Sequence, residues 1–213
     1  MLREDSMYQP GAFREERLEV LHALIRAHPL GTLITAGSAG LAANLVPFLV
    51  ADQGERGTLH AHIARANDQV EALRAGAETL VVFQGPEAYI SPSWYPSKQE
   101  HGRVVPTWNY VVVQVRGTPR LIDDPLWIRV QIGALTQSQE GQRSRPWSVA
   151  DAPADFVEAQ IRAIVGVEIP ILRIEGKWKV SQNRSVADRQ GVVQGLQAER
   201  RNAEMARLIA ERE

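Results

Sequence analysis

The spacing of apolar residues changes repeatedly along the chain, and each change predicts an element. Leu18, Leu21, Ala23, Leu24 and Ile25 recur at helical spacing and Pro29 closes the run, which predicts a helix over residues 14–28. Strand-like segments follow at residues 31–36, 42–51 and 57–63. The tetrad Gly37-Ser38-Ala39-Gly40 reads as a hairpin turn between the first two. Pro47 marks the second as an edge strand or a bulge. Asn67 is placed to cap a short helix through Leu73. Residues 79–83, bounded by Gly76 and Gly85-Pro86, read as a short buried strand. Residues 110–115 read as another, broken at Gly117-Thr118-Pro119. Asp124-Pro125 opens a helix to about Thr136. A polar loop covers residues 137–153 and a short helix residues 154–163. Residues 165–174 alternate as a strand, Glu175-Gly176-Lys177 forms a turn, and Trp178-Lys179-Val180 begins a return strand. From about Asp188 the chain reads as a polar helix.

Strands outnumber helices in this reading, and short turns join neighbours. The expected class is α+β, an antiparallel sheet or barrel with flanking helices. With no repeat and no clear linker, a single domain over residues 7–196 is expected, followed by a helical extension over residues 197–213. Residues 1–6 show no periodicity, so Met7 can serve as the true start.

Composition narrows the classes. At 44% apolar and 23% charged, the 213-residue chain is ordinary for a globular protein. A net charge of −1 gives no overall attraction to nucleic acid or to an anionic membrane. The absence of cysteine excludes disulfides, thiolate nucleophiles and cysteine metal sites. The first 17 residues are rich in charge and lack the apolar run of a secretory signal. Apolar runs such as Leu80-Val81-Val82-Phe83 are too short to cross a bilayer. A cytoplasmic location is expected.

Candidate chemistry falls in three places. Five of the chain's nine Trp and Tyr residues lie between Tyr89 and Tyr110, interleaved with hydroxyls and three prolines. Such a stretch suits an ordered loop that lines a pocket for a flat ligand or a subunit interface. In His60-Ala61-His62-Ile63-Ala64-Arg65-Ala66-Asn67, the two histidines share a strand face. They can start a metal site, but no third ligand stands nearby, and a hydrogen-bonded structural or pocket role is the stronger reading. Arg65 is placed to clamp a phosphate beside a helix start, or is a plain surface arginine. From Arg173 to Arg189 there are five Lys or Arg against two acids, with Ser181, Gln182 and Asn183 adding polar groups. This cluster suits a phosphate or a flavin edge, or is a helix cap followed by a solvated basic turn. The hydrolase elbow, the P-loop and the dinucleotide fingerprint are all missing, so those mechanisms find no support.

Taken together these motifs resemble the PaiB family of FMN-binding negative transcriptional regulators. The matching pieces are Met7-Tyr8-Gln9-Pro10 with Phe13, the segment from His62 to Asn67, and Gly85-Pro86-Glu87-Ala88-Tyr89-Ile90-Ser91-Pro92-Ser93-Trp94-Tyr95. Then come Val105-Pro106-Thr107-Trp108-Asn109-Tyr110, Val165-Gly166-Val167-Glu168-Ile169 and Lys179-Val180-Ser181-Gln182-Asn183-Arg184. The resemblance implies a split β-barrel similar to pyridoxamine-phosphate oxidase-like proteins, a homodimer, FMN as cofactor, and DNA as a possible partner. It implies cofactor-binding roles for His62, Arg65, Asn67, Trp108, Asn109, Tyr110, Lys177, Ser181, Gln182, Asn183 and Arg184, with no catalytic residue. Ala64-Arg65-Ala66 stands where the related fold has Ser-Arg-Lys, so the phosphate grip is weaker here or is completed by Lys177 and Arg184. Asn67-Asp68-Gln69-Val70 replaces the family's Asn-Pro-Gln-Trp, and Gln114 replaces a histidine. An FMN-dependent oxidoreductase of the same fold and a haem or other small-ligand binder are the alternatives.

Overall fold

Period-two alternation builds the strands around which this chain folds. In the computed structural model, residues 7–38, 40–200 and 202–211 are described. The expectations for residues 1–6 and for Ala39 lie outside them. Chain order runs β1 (Arg14–Glu15), α1 (Leu18–Ala27), β2 (Leu30–Gly37), β3 (Gly40–Pro47), β4 (Leu49–Ala51), β5 (Thr58–Ala64) and α2 (Gln69–Arg74). It continues with β6 (Thr79–Ile90), α3 (Ser97–His101), β7 (Thr107–Gly117), β8 (Arg120–Ile122), α4 (Pro125–Glu140) and α5 (Ala154–Ala163). Last come β9 (Ile164–Pro170), β10 (Arg173–Lys179), α6 (Val186–Ala198) and α7 (Ala203–Ala210). The described strand pairings are antiparallel, as the α+β expectation requires. Two compact units emerge. A terminal unit holds the chain up to Leu21, Gln84–Val113, and everything from Glu175 onward. A central unit holds His22–Phe83 and Gln114–Ile174.

In the central unit, β6, β2 and β3 lie in that order, and β4-β5-β9-β8 form a four-stranded sheet. The β2–β3 hairpin closes with Gly37 opposite Gly40, whose φ of 101° suits only glycine. The segment read as one strand over residues 42–51 is two strands in two sheets. Phe48 separates them: it is buried, its N–H donates to Pro29 O (2.8 Å), and its ring meets Phe83 edge-on at 5.6 Å. Pro47 ends β3, the outermost strand, where a missing N–H costs nothing. Leu33, Phe48, Leu59, Val81, Val167 and Ile169 are buried core residues.

Helix α2 is pinned through Gln69. Its amide donates to Leu33 O (3.0 Å), Thr35 Oγ1 (3.1 Å) and Ala42 O (3.3 Å), and accepts from Asn44 Nδ2 at 2.8 Å. Asn67 acts at the helix start as expected, its Oδ1 accepting from Gln69 N at 2.9 Å. Helix α4 begins where Asp124-Pro125 predicts, with Asp124 Oδ1 accepting from Leu126 N. It runs on to Glu140, into the stretch read as loop. Ile128 of α4 packs with Val157 and Ile161 of α5.

His60 and His62 share one face of β5, as alternation dictates. His60 stands opposite Glu168 of β9, with Nε2 3.6 Å from its carboxylate and its ring edge-on to Trp127 at 5.3 Å. Burial holds the His60 imidazole below its ordinary pKa, and Glu168 partly offsets this. Among the described residues no group of three or more His, Cys, Asp or Glu can hold a metal ion. Nor is any described helix long and apolar enough to cross a membrane.

In the terminal unit the order is β1-β10-β7-β6. The helix expected from residue 14 starts later because Arg14 and Glu15 pair with Lys177 and Gly176. Glu15 then accepts from the backbone of Arg17 and grips its guanidinium at 2.9 and 2.7 Å. Two glycines misled the sequence reading. Gly176 does not turn the chain: β10 passes through it, and a side chain there would collide with Leu21. Gly85-Pro86 does not end a strand either, since β6 continues to Ile90 with Pro86 on the last strand of this unit. In α6, Gly191 and Gly195 make room for Trp94. Helix α7 buries Met205, Ala206 and Ile209, so the C-terminal extension packs into this unit.

The central unit carries three predictions. Gly117→Ala would drive a methyl into the carbonyl of Pro170, and should lower stability by roughly 1–3 kcal/mol. Gly133→Ala in α4 meets open space and should raise it by about 1 kcal/mol. Paired thermal melts would check both signs. The depressed pKa of His60 sets the other. Below about 6.5 the unfolded chain takes up the proton more readily than the fold, so stability falls as pH drops. Between about pH 7.5 and about pH 5.5 the wild type should lose more Tm than His60→Gln.

Candidate functional site

Strand β10 puts Lys177 and Lys179 on one face, two residues apart. Lys177 is only 8% exposed. Its ammonium donates to Tyr8 O at 3.0 Å and lies 5.3 Å from the ring centres of both Tyr8 and Tyr110. Lys179 donates to Thr107 Oγ1 at 2.6 Å and to Trp108 O, and sits 5.9 Å from the Tyr110 ring. Burial lowers the Lys179 pKa, and repulsion from Lys177 and Arg184 lowers it further. A lysine held among cations over an aromatic ring is a place that gains from an anion.

The turn after β10 is tightly built. Ser181 is buried with φ of 63°, a conformation disfavoured for a residue with a side chain. Buried Asn109 of β7 donates to Ser181 Oγ at 2.8 Å and holds it there. Gln182 accepts from Val180 N at 2.8 Å and donates to Trp178 O, closing the turn on itself. Asn183 is exposed. Arg184 donates its backbone N–H to Ser181 O and lays its guanidinium 4.8 Å from the Tyr95 ring centre. Burial raises the pKa of the Tyr95 hydroxyl against the opposing pull of Arg184. Ser185 then caps α6.

The aromatic stretch therefore divides. Trp94 and Tyr95 are packed inward, on α6 and beneath Arg184. Trp108, 54% exposed, meets Tyr89 edge-on at 5.9 Å. With Tyr110, Val111, Val112, Gln84 and Glu87 it lines a half-open pocket of about 250 Å³. Trp108, Tyr110 and Val112 alternate along β7 toward the same side.

Eight of the eleven residues expected at a cofactor site lie in the terminal unit: Trp108, Asn109, Tyr110, Lys177, Ser181, Gln182, Asn183 and Arg184. The other three, His62, Arg65 and Asn67, lie in the central unit. There His62 Nδ1 pairs with Gln131 Oε1 at 2.7 Å. Arg65 donates from Nε to Arg162 O at 3.0 Å and is paired with Asp123. Asn67 serves the start of α2. The sequence reading missed Tyr8, Thr107, Gln84 and Glu87. For Thr107 the signal was present, as it heads the alternation through Val113.

Residues 7–173 match the family described as "Putative FMN-binding domain". The chain is 29% identical to the protease synthase and sporulation protein PAI 2 of Bacillus subtilis, over 97% of this chain and 98% of that one. It is 35% identical to an uncharacterized protein of Emericella nidulans, over 90% of each. Among solved structures it resembles a conserved hypothetical protein of Mycobacterium tuberculosis (TM-score 0.60, 14% identity, 84% of this chain and 94% of that one). It also resembles an FAD and heme binding protein of Mycobacterium smegmatis (TM-score 0.59, 18% identity, 78% of this chain and 73% of that one). The chain thus has the antiparallel split-barrel fold that its sequence led us to expect, and it belongs to the PaiB-type family of FMN-binding domains.

Proposed function

We propose that the protein is a homodimeric regulator that binds one FMN per subunit, with repression of transcription as its output. The observation that carries the FMN reading is the lysine pair on one face of β10 beside Tyr110. The residues fit the cofactor's chemistry. Lys177 and Lys179 offer positive charge to a phosphate, and the forces that shift Lys179 are burial and other cations, with no carboxylate among them. Trp108 and Tyr110 offer aromatic surface to a flat ring. When bound, FMN supplies a redox-active isoalloxazine. The chain's own part is to neutralise the phosphate at Lys177 and Lys179 and to flank the ring with Trp108 and Tyr110. Asn109 and Ser181 keep the turn that carries Arg184 in place.

The homodimer is supported by an uncharged outer face on the central unit. Leu41 (81% exposed), Ala43 and Leu45 of β3 stand opposite Ala36, Ile34 and Thr32 of β2 on that side. An apolar sheet face of this kind suits the core of an interface between two copies. The regulatory output and any DNA contact rest on the PaiB resemblance, as does the cytoplasmic location. The oxidoreductase alternative draws on the half-open pocket, since that chemistry requires an open face for a second substrate. NAD(P)H oxidation by the FMN-loaded protein would favour it. The haem alternative is less well served, since His60 faces Trp127 and Glu168 and His62 faces Gln131.

Fluorescence titration should give saturable quenching at one FMN per subunit, and a protein that leaves FMN fluorescence unchanged would sink the reading. Lys179→Met should weaken FMN by roughly 1.5–3 kcal/mol, the loss of a charge-assisted contact. Trp108→Ala should cost affinity more than Tm, because half of that side chain is already in solvent. Light scattering should give a dimer for the wild type and a monomer for the Leu41→Glu, Leu45→Glu double variant.

A further inference from the structure

We propose that Gln84 and Glu87 form an edge-reading pair, a site for the N–H-bearing rim of a planar heteroaromatic ligand; this rests on the FMN reading above. Both lie on β6, three residues apart, and in a regular strand they would point to opposite faces. They do not, because the alternation slips. Thr79, Val81 and Phe83 are buried before Gly85-Pro86, whereas Pro86, Ala88 and Ile90 are buried after it. A slip of one residue is what a β-bulge produces, and bulges re-aim side chains next to functional sites. Here it turns Gln84 and Glu87 out together, so that Gln84 Nε2 donates to Glu87 Oε2 at 2.6 Å. The backbone of Glu87 is tied down in turn: Asn202, with φ of 53°, donates its side-chain N–H to Glu87 O.

That hydrogen bond decides the chemistry left over. It uses one of the two Gln84 N–H groups and one Glu87 oxygen. Gln84 Oε1 and the second Glu87 oxygen remain as acceptors, against a single remaining N–H. The rim therefore favours a ligand edge that carries a donor. The walls beside it, Trp108, Tyr110 and Val112, favour a flat ring. Strand order places β10 and β6 on either side of β7. The cations of β10 and the acceptors of β6 are thus two strand spacings apart, about 10 Å. An anionic group would sit at one side of the site and the donor edge at the other. In a flavin that edge is the imide, whose N3–H lies between two carbonyls: the carboxylate takes the N–H, and the remaining Gln84 N–H meets a carbonyl.

The experiment compares FMN with N3-methyl-FMN on wild type, Glu87→Gln and Glu87→Ala, with thermal melts as a folding check. Wild type should bind the methylated flavin at least about tenfold more weakly, and Glu87→Ala should bind the two alike. Glu87→Gln keeps the shape but not the charge, and should fall between them. Wild type that binds FMN but treats both flavins equally overturns the edge pair and leaves the FMN reading standing. So does Glu87→Ala that still discriminates. Wild type that binds neither flavin removes the FMN reading and this inference with it.

Discussion

Two ammonium groups on one face of one strand set the terms for the terminal unit. Residues two apart on a strand are separated by about 6.6 Å. At an effective dielectric near 20, two unit charges at that distance repel by about 2.5 kcal/mol. The fold answers with Tyr110 between the pair, Tyr8 beside Lys177, and oxygens from Tyr8, Thr107 and Trp108. Each cation–π contact returns about 0.5–1 kcal/mol at an exposed site and about 2 kcal/mol when the cation is as buried as Lys177. Burial is the main reason the Lys179 pKa is lowered, and repulsion from Lys177 and Arg184 adds to it. An anion placed beside the pair would offset that repulsion, which favours its binding.

The histidine–arginine segment of β5 follows a different logic. Its groups already have neighbours: Asp123 and Arg162 O for Arg65, Gln131 for His62, and the start of α2 for Asn67. A ligand phosphate drawn to Arg65 would compete with Asp123, whereas one drawn to Lys179 displaces no carboxylate. The proline of the family's Asn-Pro-Gln-Trp would fall at Asp68 and leave the Gln69 N–H in place, so the Asn67 contact at the start of α2 and the bonds by which Gln69 ties the helix to β2 and β3 do not depend on that change.

Sequence periodicity was legible where alternation ran undisturbed, as in β5 and β7, and where caps were chemically explicit, as at Asp124-Pro125; the segment read as one strand over residues 165–174 is divided between β9 and β10. It failed at glycines kept for space. Gly176 is invisible as a packing residue because the side chain it accommodates, Leu21, is far away in sequence. Gly85-Pro86 has the composition of a stop, yet it shifts the phase of a strand that continues. The same shift hid Gln84 and Glu87, since a period-two template assigns them to opposite faces. The lysines, Asn109, Ser181 and Arg184 were legible as a basic and polar cluster. What composition could not give was the division within the aromatic stretch, because Trp94 and Trp108 look alike until Gly191 and Gly195 open a slot for only one of them.

The left-handed backbone of Ser181 has a consequence for how this chain can change over time. Glycine adopts that conformation more easily but offers no acceptor to the buried Asn109 Nδ2, whereas asparagine or aspartate can supply a side-chain oxygen as well. A substitution at 181 that brings no side-chain acceptor therefore strands a polar group on β7, and one at 109 releases a strained residue. Drift of that kind at either position requires its counterpart to move with it, so in any lineage of this protein the two should be inherited and replaced as a unit.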